Sequence, residues 1–502
     1  MKSSRFKPLA GLMLAATMAG ALIAAPALAQ TASGAPASSA AASASAAATA
    51  APAAAAPAAA TPAAPSVAGC VKGFSATAGA DSAFCYAADS VNSGDNAWML
   101  TSSVLVLMMT IPGLALFYGG MVRKKNILAT LAQSFGATCV ITVLWMIIGY
   151  SLAFTDGGTH NAYLGGFKYF LLTPLNKDIN IASTLAPSIP ETTYMFFQMT
   201  FAIITPALIA GALADRMKYS AFLLFMGAWL LLVYCPVAHW VWGGGWLGTA
   251  GALDFAGGSV VHLNAGTAGL VVALMLGKRK GLGTENFAPH NLAYSVIGAS
   301  LLWVGWFGFN AGSAVEAHDG QAGMAAAATQ IATAGAALSW MFVEWIISKK
   351  PSVLGMVSGA VAGLVAITPA SGYVNPLGAL IIGLGAGVVC YISAVHVKKI
   401  FGYDDSLDCW GVHGVGGAFG AIMTGVLASK AINGTIKGGW LIDHNPGQMM
   451  LQFEDVLAVF FYCGIVSFII LAVLKYTIGI RVSEEVEEEG LDINLHGEVV
   501  HG

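Results

Sequence analysis

Two stretches of the chain share one pattern: residues 261–269 read VHLNAGTAG, and residues 412–420 read VHGVGGAFG. Both fit Val-His-x3-Gly-x2-Gly, and both lie in apolar runs long enough to cross a bilayer. A histidine within the hydrocarbon region is costly and indicates a functional site by default. His262 and His413 in matching contexts therefore indicate one site built by two related halves.

The composition is that of a polytopic membrane protein. The chain has 502 residues, of which 57% are hydrophobic and 9% are charged, and its mean hydropathy is +0.73. Soluble proteins carry roughly 25% charged residues. The 61 glycines indicate closely packed helix backbones, and no nucleic-acid partner is expected.

The N-terminal part is predicted to be exported and unpacked. Residues 1–29 are typical of a signal peptide, because a basic start precedes an apolar stretch and an Ala-x-Ala cleavage site at 27–29. The alternative is a retained first helix. Residues 30–69 are almost entirely Ala, Pro, Ser and Thr and are predicted to form a tether.

Residues 70–95 are predicted to form an extracytoplasmic segment that carries Cys70 and Cys85. A disulfide can persist on the exported side of a membrane, but the sequence does not fix whether these two cysteines pair. The other five cysteines lie in or beside apolar segments and are interpreted as small hydrophobic residues.

Eleven apolar segments of membrane-spanning length follow, within a predicted transporter domain of residues 96–480. They are 97–118, 127–153, 194–213, 219–238, 256–277, 291–312, 322–347, 353–370, 376–396, 410–428 and 455–479. Residues 481–502 form an acidic tail, which is predicted to be cytoplasmic. The alternative is a solvated, unpacked tail.

Basic residues concentrate in every second loop between these segments. They are Arg123, Lys124, Lys125, Arg216, Lys218, Lys278, Arg279, Lys280, Lys349, Lys350, Lys398 and Lys399. The opposite loops hold only Lys168, Lys177, Lys430 and Lys437. By the positive-inside rule the N-terminus is outside and the C-terminus is cytoplasmic, in agreement with the signal peptide.

The two histidines lie near the starts of the fifth and tenth segments. Because five spans separate them, an odd number, the two helices run in opposite directions. We therefore predict an all-α membrane protein with an inverted repeat of spans 1–5 and 6–10 plus a final helix, and a shared site near the midplane. The alternative is chance recurrence of the pattern in a glycine-rich chain.

Aromatic and acidic residues accompany the histidines. Phe197 and Phe201 are four residues apart on one helix face, and Trp306 and Phe309 share a face of span six. Each aromatic residue alone is also compatible with ordinary packing. Asp254 and Asp408 stand near the starts of the histidine helices. We interpret both as helix caps, with direct cation binding as the alternative.

Several classes of function are excluded by what the sequence lacks. There is no Gly-x4-Gly-Lys-[Ser/Thr] phosphate-binding loop, no arginine ladder and no acidic ring. Two histidines without further ligands make a poor metal site. We therefore expect a transporter, not an enzyme, without a metal or cofactor.

Residues 96–498 resemble an ammonium transporter of the Amt branch of the Amt/Rh family. The stretches that carry the resemblance are FYGG (117–120), GALADR (211–216), VWGGG (241–245), GALDFAGG (251–258), GWFGFNAGS (305–313) and GVHG (411–414). The resemblance implies eleven spans in an inverted repeat. It also implies a homotrimer with one pore per subunit.

The resemblance also implies roles for single residues. These are pore histidines at His262 and His413, a Phe gate at Phe201 and Phe309, a pore-lining Trp306, a recruitment site of Trp242, Ser313 and Phe197, and structural helix-start aspartates at Asp254 and Asp408.

The implied substrate is ammonium or methylammonium, in a bacterial inner membrane and in contact with its lipid. Our hypothesis is that ammonium loses its proton past the gate, and that ammonia passes two histidines whose rings hydrogen-bond each other and relay the proton. The family's tail implies contact with cytoplasmic loops and regulation by a P-II signalling protein. The alternative function is an ammonium sensor that signals to cytoplasmic partners.

Overall fold

The computed structural model describes residues 91–175, 181–182 and 185–500. The predicted signal peptide, the tether and the two cysteines Cys70 and Cys85 lie outside these residues. Their roles remain predictions.

Eleven helices coincide with the eleven predicted apolar segments. They are α1 Ser93–Met121, α2 Lys124–Phe154, α3 Glu191–Leu213, α4 Tyr219–Ala250, α5 Gly258–Leu276, α6 Leu292–Ala314, α7 Gln321–Ser348, α8 Val353–Ile367, α9 Pro376–Phe401, α10 Trp410–Leu427 and α11 Pro446–Thr477. Ten of these described helices are long and apolar enough to cross a membrane. The exception, α8, has 15 residues and is therefore roughly 22 Å long. It packs among α6, α7, α9 and α10.

The remaining elements are short. In the loop between α2 and α3, helical turns Gly158–His160 and Phe170–Leu172 precede an antiparallel pair of strands. The strands are β1 Ile181–Ala182 and β2 Ala186–Pro190, with Ala182 opposite Ala186. One helical turn, Trp440–Asp443, lies between α10 and α11.

Helix contacts repeat with an offset of five helices. α1 packs against α3 as α6 packs against α8, and α2 packs against α4 as α7 packs against α9. The pair α3–α5 is likewise repeated by α8–α10, while α11 contacts both α5 and α10. Because an odd number of spans separates equivalent helices, the repeat is inverted. The predicted architecture is confirmed.

The two histidine helices, α5 and α10, cross with their backbones in contact. A Cβ added at Gly266 would lie 2.1 Å from the backbone nitrogen of Gly414. A Cβ added at Gly417 would lie 2.6 Å from the carbonyl oxygen of Gly258. Gly266 and Gly417 each follow a histidine by four residues, so the repeated glycine of the sequence pattern is the contact point of the two helices.

Two arginines and two aspartates from several loops form ion pairs at one end of the bundle. We call this end, where the basic loops lie, the basic end (Arg123, Asp215, Arg279 and Asp404). Asp215 Oδ2 lies 3.5 Å from Arg123 Nε and 3.4 Å from Arg279 Nη1. Arg279 Nη2 lies 2.9 Å from Asp404 Oδ1. Burial alone would raise the pKa of Asp404, but the guanidinium of Arg279 outweighs burial and lowers that pKa. These pairs join loops of both repeats.

The acidic tail is folded against the basic end. It contains a short helix, α12 (Glu484–Glu489). Glu487 is buried and accepts hydrogen bonds from the backbone N–H of Lys280 at 2.6 Å and from Arg481 Nη2 at 2.7 Å. Asp492 accepts from two backbone N–H groups at the start of α2. The tail therefore packs on loops rather than standing free in solvent.

Candidate functional site

The histidine rings meet at the centre of the bundle. Both side chains are buried, and the rings are nearly parallel, 23° apart, with centroids separated by 5.4 Å. Each histidine lies in a π-helical turn that opens its helix, Gly258–Leu263 in α5 and Trp410–Gly414 in α10. Such turns occur frequently at functional sites.

The predicted hydrogen bond between the two rings is not formed. Both ring nitrogens of His262 and Nδ1 of His413 are buried and have no hydrogen-bond partner among the described residues. The two helices hold the rings side by side without a hydrogen bond between them. These nitrogens are therefore open to a third group.

Aromatic rings continue the line away from His262. Phe309 lies 5.8 Å from His262 between ring centroids, Phe201 stacks on Phe309 at 4.2 Å and 24°, and Trp242 stands edge-on to Phe201 at 5.9 Å. We call these five residues the ring row (Trp242, Phe201, Phe309, His262 and His413). Phe201 and Phe309 are almost fully buried, whereas Trp242 is partly exposed, so the row runs from a partly exposed mouth into the interior.

Two other predicted residues flank the mouth. Phe197 is buried and packs edge-on against Phe201 at 4.9 Å; its ring also lies against Gly312, next to the partly exposed Ser313. Ser313 Oγ donates to the carbonyl of Phe309 at 2.8 Å. No ring contact or hydrogen bond joins Trp242 to Ser313 in the described part of the chain.

Trp306 is held beside the histidines by a partner that the sequence did not reveal. Its ring lies 5.3 Å from that of His262, and its Nε1 donates to Thr368 Oγ1 at 2.9 Å. Thr368 follows α8 and also contacts Asn310 of α6. A lone threonine after an apolar helix carries no sequence signal, so its role becomes visible only in three dimensions.

A buried aspartate precedes each histidine by eight residues. Asp254 accepts from four backbone N–H groups, those of residues 257–260, and from a serine hydroxyl, at 2.6–3.1 Å. Asp405 holds the equivalent place before His413 and accepts from two backbone N–H groups at the start of α10, at 3.0 and 2.7 Å. Both carboxylates cap the helix that presents a histidine.

The prediction that Asp408 caps α10 is wrong. Asp408 has a backbone φ of +60°, which is not the extended conformation of an N-cap, and its carboxylate pairs with Lys398. Asp408 is still structural, but through this ion pair. Burial raises the pKa of Asp405 to about 6; the like charge of Asp408 adds to this effect and Lys398 opposes it.

One group of possible metal ligands lies outside the ring row. His318 Nδ1 is 2.9 Å from Asp95 Oδ2, and His318 Nε2 is 3.7 Å from Glu316 Oε2. Asp95 also accepts from the backbone N–H of Ala317. These contacts join the loop after α6 to the start of α1, and they lie apart from the ring row.

The inverted repeat and the buried ring row together define a multi-pass membrane protein of the transporter class. The family model described as Ammonium Transporter Family matches residues 97–501. The chain therefore belongs to that family.

Relatives and solved structures agree with this assignment. An ammonium transporter of Bacillus subtilis (strain 168) is 48% identical over 405 residues, 81% of this chain and 98% of the relative. One from Aquifex aeolicus (strain VF5) is 49% identical over 422 residues, 83% and 96% of the two chains. The crystal structure of Candida albicans Mep2 is similar with a TM-score of 0.74 and 37% identity, covering 79% of this chain and 88% of that chain.

A further solved structure is described as "Sensor Amt Protein". It is similar with a TM-score of 0.72 and 26% identity, over 80% of this chain and 98% of that chain.

Proposed function

We propose that the chain is an ammonium transporter that recruits ammonium at Trp242, deprotonates it past the Phe gate and conducts ammonia along the histidine pair, which relays the proton. The observation that carries this proposal is the ring row, which leads without interruption from a partly exposed mouth to two buried imidazoles. Membership of the Ammonium Transporter Family supports the substrate.

Recruitment rests on Trp242 and Ser313. A tryptophan face attracts a cation by up to roughly 2 kcal/mol when the pair is desolvated. Ser313 uses its hydroxyl hydrogen on the Phe309 carbonyl, which leaves its oxygen lone pairs free to accept from ammonium. The ring of Phe197 lies against Gly312, the residue before Ser313.

Selectivity arises at the gate formed by Phe201 and Phe309. Their rings are stacked at 4.2 Å, so a hydrated ion cannot pass between them without displacing a ring. An unpaired charge in an apolar passage is very unfavourable. Ammonium can transfer its proton to the histidine pair beyond the gate and continue as neutral ammonia, whereas potassium and sodium carry no proton to transfer.

The histidine pair then receives ammonia and relays the proton. The unpartnered nitrogens of His262 and His413 can hydrogen-bond to a small polar molecule that enters between or beside the rings. Imidazole is suited to proton transfer because its two nitrogens are distinct and its ordinary pKa is near neutrality. A molecule that bridges the rings would supply the link that is absent between them.

Current recordings on proteoliposomes test this function. We expect His262→Asp and His413→Asn to change the ratio of ammonium to potassium current. His396→Asn is the matched control, since His396 also lies in a π turn, Ile392–Val397, but not in the ring row. Unchanged selectivity in both histidine variants would contradict the relay.

The proposal extends to the setting of the protein. The N-terminus faces outward and the basic end faces the cytoplasm of a bacterial inner membrane, and three copies assemble with one pore each. A P-II signalling protein binds at the tail and the loops of the basic end. Trypsin added to inside-out vesicles should cleave the tail, while right-side-out vesicles should protect it; the reverse pattern would invert the proposed orientation.

A sensor is the second candidate function, favoured by the likeness to the structure described as a sensor. A transporter and a sensor differ in whether ammonium or methylammonium crosses the membrane. A transporter produces ammonium-dependent current or methylammonium uptake in purified proteoliposomes. A sensor binds ammonium without either, and that outcome would replace the transport proposal.

A further inference from the structure

Asp455 of α11 is a buried carboxyl without a visible role. The residue is fully buried, and neither of its carboxylate oxygens has a hydrogen-bond partner among the described residues. Burying an ionised carboxylate without a partner is strongly unfavourable, and native structures rarely retain one. The position therefore requires either a compensating group or a neutral form.

The same face of α11 holds the turn that precedes α5. Gln448 Nε2 donates to the carbonyl of Gly251 at 2.9 Å. Gln452 accepts from the backbone N–H of Leu253 at 2.7 Å and donates to its carbonyl at 2.8 Å. Asp455 follows Gln452 by three residues, about one helical turn. It lies near Asp254 and Ser259, which belong to the segment that leads into and opens α5.

The donors at this turn are already used. Asp254 accepts from the backbone N–H groups of residues 257–260 and from the hydroxyl of Ser259. An ionised Asp455 would therefore lack a donor and would be repelled by Asp254, the charged group that faces it. A protonated Asp455 has an O–H of its own, and Asp254 and Ser259 both offer lone pairs to accept it.

We propose that Asp455 is a proton-binding residue, a neutral carboxyl that donates to the Asp254–Ser259 pair and so positions the start of α5. Ser259 precedes His262 by three residues within the same π turn. A change at the Asp254–Ser259 pair therefore acts directly on the segment that presents His262. The ligand of this site is a proton, and Asp455 is a positioning residue behind the ring row.

Infrared spectroscopy of the full chain in proteoliposomes tests the protonation. At neutral pH we expect the carbonyl stretch of a protonated carboxyl, which Asp455→Asn removes. Glu454→Gln is the matched control, because Glu454 is the neighbouring exposed carboxyl, and it should leave this band unchanged. An identical band in the wild type and in Asp455→Asn, or no such band in the wild type, would overturn the proposal.

Methylammonium uptake tests the positioning role. Asp455→Ala removes the donor and should lower the maximal rate about tenfold, the equivalent of one hydrogen bond. The KM should change less, because Trp242 binds the backbone carbonyl of Asp254 and not its carboxylate. Asp455→Asn keeps a neutral donor and should restore most of the rate. Equal rates in the two variants would refute positioning. If Asp455→Ala does not fold, the infrared comparison of wild type with Asp455→Asn still decides.

Discussion

Trp242 is fixed before any substrate arrives. Its Nε1 donates to the carbonyl of Asp254 at 2.8 Å, and its ring meets Phe201 edge-on. A side chain held in this way loses little conformational freedom when it binds a cation. The residue therefore combines an exposed mouth position with a preset orientation.

Replacing Trp242 with Leu should weaken recruitment without closing the passage. Loss of a cation–π contact worth about 1–2 kcal/mol raises the KM for methylammonium about 5- to 30-fold. Radiolabelled methylammonium uptake measures the change. Trp303→Leu is the control, since Trp303 lies on α6 and donates to Gln330 away from the ring row. A KM unchanged in Trp242→Leu would remove Trp242 from the recruitment site.

Asp405 should make stability depend on pH in a defined window. Its pKa is about 6 in the folded protein, whereas a free Asp titrates near 3.9. The folded state therefore holds a proton that the unfolded state has lost, and stability falls as pH rises from about 4 to about 6, by up to roughly 3 kcal/mol. Thermal unfolding of the wild type and Asp405→Asn across this range measures the effect. Parallel curves for the two proteins would contradict it.

The sequence singled out residues whose burial in an apolar segment is costly, and it missed residues whose part in the site depends on three-dimensional contacts. The histidines were found because a titratable group in an apolar run demands a reason. Asp408 was predicted to cap α10 because it stands near the helix start, and position in the sequence cannot reveal its left-handed backbone. Thr368 and the open nitrogens of His262 depend on contacts between distant helices, which no local pattern encodes.

At the scale of elements, the decisive feature is the crossing of α5 and α10. The glycines of the repeated pattern predicted close packing, and the structure identifies the atoms that require it. Helix existence followed from apolar length alone. The short length of α8 could not be predicted in this way. Its apolar stretch continues past Ile367 into a turn, and hydropathy does not show where a helix ends.

Gly266→Ala should disrupt this crossing. The new methyl group would lie 2.1 Å from the backbone of Gly414, so the two helices must separate, at a cost of about 3 kcal/mol. Thermal unfolding followed by size-exclusion chromatography in detergent measures the loss. Gly323→Ala on α7 meets no atom within 4 Å and should be neutral. Equal melting temperatures for the two variants would show that the backbones are not in contact.

At the scale of the whole molecule, the tail joins parts of the chain that the repeat leaves separate. Glu487 links the loop after α5 to the end of α11, while Asp492 caps α2. The acidic composition alone did not distinguish this arrangement from a solvated tail. The contact of Glu487 with Lys280 joins residues that are 207 positions apart in the chain, and a local pattern does not encode such a contact.

Glu487→Ala should release the tail. The change removes the carboxylate that accepts from Arg481 and from the N–H of Lys280. We expect the free energy of unfolding to fall by about 1–3 kcal/mol. The effect is limited because Arg481 is partly exposed. Limited trypsin digestion of detergent-solubilised protein, read by mass spectrometry, should show faster cleavage at Arg481. Glu485→Ala, an exposed neighbour, provides the control. Identical cleavage rates would show that Glu487 does not hold the tail.

The inverted repeat gives the passage a similar backbone on both sides of the histidines, but the side chains on the two sides differ. α3 contributes Phe201, yet its counterpart α8 contains no aromatic residue between Val353 and Ile367. Among the described residues, the stacked phenyl rings of the proposed gate therefore lie on one side of the histidines only. On the proposed mechanism, molecules that enter from the basic end meet the imidazoles first and the phenyl rings last. We therefore expect a substitution in the gate to affect transport in the two directions unequally, even though the helices are related by the repeat.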